Sequence, residues 1–105
     1  MARPERVRDI IKLRGYKDGI KKLARAHKLE VIKTVEDTVE LLATFSITRG
    51  KRNHPLEGNK EGYWDLHIGD NLVLIYRYVG KSLEIDLELK DLTDHDHGLS
   101  KNKRY

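Results

Sequence analysis

The apolar residues of this chain change their spacing once, from the period of a helix to the period of a strand, and the change falls after Phe45. Before it they recur every three or four residues, and from Tyr63 onward they alternate with polar residues. One face of a helix repeats about every 3.6 residues and one face of a strand every two. The chain is therefore predicted to form its helices before its sheet along the sequence, as an α+β domain.

Two helices are predicted before the change. The first begins at Tyr16 and turns apolar residues to one side, while its other side is almost entirely Lys and Arg. The second covers residues 29–45, with an apolar stripe opposite acidic residues. We expect the two helices to lie antiparallel. Residues 7–13 fit a helical turn and one face of a strand equally well, so their local pattern leaves both structures open.

Three antiparallel strands are predicted after the loop of residues 46–61. They cover residues 63–68, residues 72–79, and residues 82–89 or slightly more, with turns at 69–71 and 80–81. The middle strand is apolar on both faces, which is typical of the centre of a sheet. The predicted core places these strand residues beneath the helices: Leu66, Ile68, Leu83, Ile85 and Leu87 under Leu23, Val35, Val39 and Leu42.

The length of 105 residues fits a single domain spanning residues 1–105. The chain has no Cys, which excludes disulfide bonds, a thiol nucleophile and a Cys-ligated zinc site. Its longest apolar run, residues 72–75, is far shorter than the roughly 20 residues that cross a bilayer. We therefore expect no membrane association and a cytoplasmic location.

Charge is spread unevenly along the chain. The net charge is +4, but residues 1–28 carry ten basic and three acidic side chains, whereas residues 82–99 carry one basic and six acidic ones. A basic segment of this kind favours a polyanionic or acidic partner.

Four of the five histidines lie at loop or strand positions in the second half of the chain: His54, His67, His95 and His97. Histidine titrates near neutrality, so two or three of them around a phosphodiester can take a proton from one oxygen and give one to another. RNA supplies its own nucleophile in the 2′-OH, so such a ribonuclease needs neither metal nor cofactor. The basic residues that flank His54 suit phosphate binding: Arg49, Lys51 and Arg52.

Each of these histidines also has a plainer explanation. A solvated loop would account for His54, and a simple strand pair with Asp65 would account for His67. Residues 94–97 read Asp-His-Asp-His, and because His-x-His puts both rings on one side of an extended chain, a metal site there stays open. His27, on the inner edge of the basic helix, is interpreted as structural.

Three segments, in order and at matching spacing, resemble the YafQ branch of the RelE-type toxins: Asn-His-Pro-Leu-Glu-Gly at 53–58, Gly-Tyr-Trp-Asp-Leu-His-Ile at 62–68, and Leu-Val-Leu-Ile-Tyr at 72–76. These bacterial toxins are ribosome-dependent mRNA interferases, and the resemblance extends over about residues 7–99. It implies a RelE-like α+β fold with two N-terminal antiparallel helices packed on a small, mainly antiparallel sheet of four strands. Residues 7–13 then form a strand.

The resemblance also carries site residues onto this chain. His54 matches the loop histidine of the family's His-Pro-Leu, while Asp65 and His67 match its strand aspartate and strand histidine without a gap. All three positions are implicated in RNA cleavage in the family. Trp64 stands where the family usually has Arg.

Two further catalytic positions match less directly. The family's Asp-Trp pair falls on Asn71 and Leu72, so Asp70, one residue earlier, is expected to fill the acidic role. His95 corresponds to the terminal histidine of the family, and His97 is the near alternative. We expect RNA to be bound by the basic residues near these positions: Arg49, Lys51, Arg52, Lys60 and Arg77.

The resemblance thus implies the toxin of a type II toxin–antitoxin system, a metal-independent mRNA endoribonuclease without cofactor whose partners are a cognate antitoxin, mRNA and the ribosome. Glu84, Asp86 and Glu88 face outward on the last strand, where acids either repel RNA, solvate an edge strand or pair with Arg77. The missing Trp and Arg of the family motif favour an alternative, a non-catalytic or diverged protein of the same fold that inhibits a protein target.

Overall fold

The structure, a computed structural model, describes residues 4–47, 53–55, 62–69 and 71–94, with the backbone alone at 53–55. It contains two helices and a mostly antiparallel sheet, which confirms the α+β class. The elements in chain order are β1 (Asp9–Lys12), α1 (Arg14–Arg25), α2 (Leu29–Ala43), β2 (Asn53–Pro55), β3 (Trp64–Ile68), β4 (Leu72–Lys81) and β5 (Glu84–Asp94). Neither helix is long and apolar enough to span a membrane, within the residues that the structure describes.

The sheet has the strand order β1-β5-β4-β3-β2. β1 runs parallel to β5, and the other three pairs are antiparallel. The ambiguous residues 7–13 therefore contain a strand, and that strand precedes both helices. The four expected strands are present as β1, β3, β4 and β5. β2 is a fifth strand, three residues long, in a segment that the sequence predicts as a loop. The Pro in this segment disfavours regular strand pairing, so the local pattern does not indicate a strand.

A change of phase in β5 explains why its pattern looks shorter in the sequence than it is in the fold. Ile75 of β4 pairs with Asp91 and the next residue, Tyr76, pairs with Leu89, so Lys90 is an extra residue on β5. Such a bulge shifts the alternation of faces by one. Leu89 and Leu92, three residues apart, both reach the helix side and are buried. The strand thus continues to Asp94 although strict alternation ends at Leu89.

The core lies between α2 and one face of the sheet. The predicted contributions of Val35, Val39 and Leu42 from α2, and of Leu66, Ile68 and Leu87 from the sheet, are confirmed, since all six are buried. Ile85 and Leu23 are half-buried and pack against that core. The prediction for Leu83 is wrong, because its side chain is 65% exposed. The chain reverses at Ser82 and Leu83, two residues later than predicted, so Leu83 belongs to the turn instead of the strand.

Helix α1 lies unusually close to β5. A Cβ built on Gly15 would lie 2.7 Å from the Lys90 carbonyl oxygen, and one on Gly19 would overlap the Leu92 carbonyl oxygen. Glycine at these two positions therefore allows the helix backbone to approach the strand backbone. The basic residues of α1 are exposed: Arg14, Lys17, Lys21, Lys22 and Arg25.

The close approach of α1 to β5 at Gly19 can be tested by the direction in which Gly19→Ala changes the free energy of unfolding. Helix propensity alone predicts that Gly19→Ala stabilises the protein by about 1 kcal/mol. We expect the opposite, a loss of roughly 1–3 kcal/mol, because the added Cβ meets backbone that has no room to move. Urea denaturation measures the change, and Lys17→Ala on the exposed side of α1 is the control. A more stable Gly19→Ala variant would contradict the packing.

The position of the β4–β5 turn makes a second prediction. Leu83→Ser should change the free energy of unfolding by less than about 0.5 kcal/mol, because the side chain is exposed. Leu87→Ala, four residues on and fully buried, should cost roughly 2–5 kcal/mol. The pair is compared by urea or thermal denaturation. Equal losses of unfolding free energy in the two variants would contradict a turn at Ser82 and Leu83 and would support the turn predicted from the sequence at residues 80–81.

Candidate active site

The side of the sheet turned away from the helices, here called the far face, carries the predicted site residues that the structure describes. Strand alternation places three side chains of β3 or its approach on this face, Tyr63, Asp65 and His67. Tyr63 packs with Val73 and Ile75 of β4 in a second, smaller apolar cluster. The far face therefore combines a buried apolar floor with polar and charged groups.

Asp65 is the buried carboxylate of the far face, with only 3% of its surface exposed. Its Cα partner in β2 is His54, and its Cα partner in β4 is Ile75. The structure thus brings the backbone of His54 directly opposite Asp65, at the spacing of about 4.5–5.5 Å that antiparallel partners adopt. The fifth strand, missed by the sequence pattern, is what joins these two predicted site residues.

His67 lies two residues beyond Asp65 on the same face and is half-buried. Its Cα partner is Val73, which pairs in turn with Thr93 of β5. A row across three strands therefore leads from His67 to Thr93, two residues before His95 in the chain. A half-buried histidine in such a row is placed both to hold a fixed orientation and to reach a bound molecule.

The remaining predicted site residues lie outside the described part of the chain. Asp70 and His95 are the two catalytic ones, and the others were predicted to bind RNA: Arg49, Lys51, Arg52 and Lys60. Their roles stay predictions. In the described residues, no three His, Asp or Glu side chains come together as a metal site. Of the Asp-His-Asp-His run at 94–97, only Asp94 belongs to the described part.

Arg77, the described member of the predicted RNA-binding set, is part of a cluster on the far face. Its Nε donates a hydrogen bond of 2.9 Å to Oε1 of Glu88, and the Tyr63 hydroxyl donates one of 2.5 Å to the same oxygen. The Arg77 Cζ lies 4.5 Å, and the Lys90 Nζ 4.8 Å, from the centroid of the Tyr63 ring. We call these four residues the Tyr63 cluster.

The electrostatics of the Tyr63 cluster favour an ionised Glu88. Burial alone would raise the pKa of this carboxyl, but the hydrogen bonds from Tyr63 and Arg77, together with the positive charges of Arg77 and Lys90, hold the pKa below its ordinary value. Glu88 is therefore a carboxylate at neutral pH, and it neutralises part of the positive charge beside it.

The sequence left open whether the acidic residues of β5 lie on an exposed edge strand. They do not, because β5 lies between β1 and β4. Both carboxylate oxygens of Asp86 accept hydrogen bonds from Arg8, at 3.1 and 2.9 Å. This contact lowers the pKa of Asp86. Glu84 lies 3.7 Å from Arg8, and Glu88 pairs with Arg77 as one of the alternatives proposed.

Sequence reasoning missed Tyr63, Glu88 and Lys90 as a unit. Alternation does place Tyr63 on the polar face of its strand, with Asp65 and His67, and that signal is present in the sequence. The pairing of Arg77 with Glu88 depends on the register between β4 and β5, and the place of Lys90 depends on the bulge. Neither can be read from one strand alone.

A groove of about 880 Å³ lies on the helix side, between the two helices and the ends of β3, β4 and β5. Its lining includes Asn71 and Leu72, the positions on which the family's Asp-Trp pair falls, and Asp94. None of the four residues of the Tyr63 cluster lines this groove. It adjoins the end of the site at which Asp70 and His95 are expected.

Comparison with known proteins gives a consistent result. The family described as "bacterial toxin of type II toxin-antitoxin system, YafQ" matches residues 8–100. A YoeB/ParE toxin from Agrobacterium tumefaciens is similar in structure, with a TM-score of 0.68 and 23% sequence identity over 83% of this chain and 98% of that one. No curated protein sequence matches the chain.

Two structures of the DinJ–YafQ complex from E. coli are also similar. One gives a TM-score of 0.67 at 23% identity, covering 84% of this chain and 93% of its own. The other gives 0.62 at 26% identity, covering 84% and 92%. The structures support the fold, and the family match covers nearly all of the chain. This protein therefore belongs to the YafQ family of bacterial toxins of type II toxin–antitoxin systems.

Proposed function

We propose that this toxin is a ribosome-dependent mRNA endoribonuclease that stops translation, acting in the cytoplasm where ribosomes are. The observation that carries the proposal is the arrangement of the far face, where half-buried His67 lies beside buried Asp65 and the backbone of His54 lies opposite that aspartate. These are the positions at which the chain matches its family's histidine and aspartate motifs. Two titrating groups near one phosphodiester suffice for acid–base cleavage.

The proposed reaction uses the 2′-OH of RNA as its nucleophile. His67 or Asp70 takes the 2′-OH proton, the 2′-oxygen bonds to the adjacent phosphorus, and the bond from phosphorus to the 5′-oxygen breaks. His95 gives a proton to that leaving oxygen. The products are a 2′,3′-cyclic phosphate and a 5′-OH end, and the proton balance needs neither metal nor cofactor. His54, Arg52 and Arg77 hold the phosphate and stabilise its extra charge.

Asp65 has a positioning role in this proposal, because a side chain that is 3% exposed does not meet a large substrate directly. A buried carboxylate on the same strand face as His67 fixes the orientation and charge of groups around it. Its removal should therefore impair both the fold and the reaction, whereas removal of His67 should impair the reaction alone.

We also propose an acidic antitoxin as the partner of helix α1. The E. coli relative was solved as a complex with DinJ, and the exposed side of α1 in this chain bears five cationic side chains against one acidic one. An acidic, partly disordered chain that folds on binding would neutralise this surface and keep the toxin from the polyanionic ribosome.

One observation favours the alternative function, inhibition of a protein target without RNA cleavage. Arg77 is engaged by Glu88, so the described cation of the predicted RNA surface is already partly neutralised. Leu72 in place of the family's Trp points the same way. Cell-free translation separates the two functions, because only the ribonuclease yields truncated messages.

The ribonuclease proposal predicts a loss of cleavage in two histidine variants. His67→Ala and His54→Ala should each lose roughly 10²–10⁴-fold in rate while remaining folded, because each removes a group that moves or stabilises charge in the reaction. Primer extension on the mRNA of a cell-free translation reaction measures the cleavage. His27→Asn is the control, since His27 is exposed at the end of α1 and has a positive φ that Asn tolerates.

Two outcomes would contradict this assignment. Full activity of a folded His67→Ala, His54→Ala double variant would remove both residues from the site. Cleavage that EDTA abolishes and a divalent ion restores, with ribosome integrity controlled, would replace the metal-independent reaction by a metal site at residues 94–97.

The antitoxin proposal predicts a charge-specific loss of binding. Lys17→Glu with Lys21→Glu, two exposed neighbours on one stripe of α1, should weaken the complex with the product of the adjacent gene by about tenfold or more at low salt. Lys33→Glu with Lys81→Glu makes the same change of net charge elsewhere and is the control. Binding is measured by calorimetry at two salt concentrations, and equal losses in both pairs would show that α1 has no special role.

A further inference from the structure

The Tyr63 cluster gathers two cations at one aromatic ring. Arg77 and Lys90 are both within 5 Å of the Tyr63 centroid, and Tyr63 itself is 4% exposed. A ring attracts each cation through its quadrupole, but the two cations repel each other. Glu88 resolves the conflict, because its carboxylate accepts hydrogen bonds from Tyr63 and Arg77 and attracts Lys90. Counted over these four residues alone, one net positive charge remains.

The cluster is also partly open to solvent. The side chain of Arg77 is 28% exposed and that of Glu88 is 13% exposed. A group bound from outside therefore meets Arg77 more readily than Glu88. Anions bind to fixed guanidinium groups by charge-assisted hydrogen bonds, and phosphate is the anion that RNA offers along its whole length.

The distance to His67 shows which phosphate this is. Val73 is the Cα partner of His67, and Arg77 lies four residues further along β4, about 14 Å at roughly 3.4 Å per residue. Glu88 and the Tyr63 ring hold Arg77 in place at that distance. Arg77 is therefore separated from the phosphate at which His67 acts.

We propose that Arg77 and Lys90, held over the buried Tyr63 ring, form a phosphate subsite for RNA that flanks the cleaved bond, and that Glu88 is the built-in counter-charge that limits its affinity. The inference rests on the proposed function, in that it takes the far face to bind RNA. It changes the expected role of Arg77, from holding the reacting phosphate to holding a neighbouring one. Glu88 positions Arg77 when no RNA is bound, and RNA phosphate competes with it.

The test measures binding without cleavage. The probe is a fluorescein-labelled, single-stranded 2′-O-methyl hexaribonucleotide, which lacks the nucleophile, and fluorescence polarisation follows its binding to the full chain. Glu88→Gln keeps the size and the acceptor oxygen but removes the charge, so affinity should rise roughly tenfold at low salt. Lys90→Gln should lower the affinity and reduce the slope of log K against log salt by about 0.7, the value for one phosphate on a single strand.

Glu84→Gln is the matched control. It removes the same charge from the same strand, but at the exposed β4–β5 turn beside Arg8. We expect it to change affinity by less than about twofold. Unchanged or weaker binding in Glu88→Gln, no binding in either protein, or an equal gain in Glu84→Gln would overturn the subsite.

A second measurement uses the unsubstituted protein, in case Glu88→Gln does not fold. The Nε–Hε resonance of Arg77, assigned by its loss in Arg77→Lys, should shift as the hexaribonucleotide is added, because phosphate competes with the Glu88 acceptor. A resonance that stays fixed at saturation would overturn the proposal. Both measurements are independent of ribosomes and of catalysis. Loss of the proposed cleavage activity would therefore leave them standing, and a flat titration beside intact cleavage would overturn the subsite alone.

Discussion

Strand β5 is the element on which both faces of this protein depend, because it is hydrogen-bonded on both sides and contributes to each face. Its leucines at 87, 89 and 92 are buried beneath the helices, and Glu88 and Lys90 lie on the far face. The extra residue at Lys90 shifts the alternation of faces, so that β5 buries Leu92 under the helices and also places Glu88 and Lys90 on the far face. Without that bulge, Leu92 would turn to the far face and the core at the end of the strand would open.

The glycines of α1 allow a close approach that no larger residue would permit. They bring the helix backbone onto β5 beyond the end of β1, while the basic residues of the helix are exposed. The molecule therefore presents two separate charged surfaces, a basic helix on one side and the far face on the other. A partner that neutralises the helix need not occlude the far face, so the proposed antitoxin and the proposed RNA would contact different groups of residues.

The far face differs from a simple cationic surface. Asp65 is buried two residues from His67 on the same face of β3, and Glu88 accepts hydrogen bonds from Tyr63 and Arg77, so carboxylates lie among the polar and positive groups of this face. An exposed ion pair contributes little to the stability of the fold. Removing one partner of a buried pair is strongly destabilising, because the other charge is left buried and unpaired. Glu88 is partly buried, so its pairing with Arg77 matters more than that of the exposed ion pairs on the helices.

The sequence by itself determined the class of fold and the family. The change of hydrophobic period separates helices from strands, and the motifs around His54, Asp65 and His67 are local strings of residues that need no tertiary contact to be read. The same periods also predicted which residues are buried: Val35, Val39, Leu42 and Leu87. Residues at these spacings lie on the apolar side of their helix or strand, and that side packs against the core.

Only the tertiary structure decided which of these residues meet. β2 is three residues long and forms through pairing with β3, so the juxtaposition of His54 and Asp65 is invisible in either segment alone. The error at Leu83 has the same origin, since local alternation cannot tell the last strand residue from the first turn residue. The Tyr63 cluster depends on the register of β4 against β5 and on a one-residue bulge. Register is fixed by the sum of contacts across a sheet, and that sum exists only once the chain has folded.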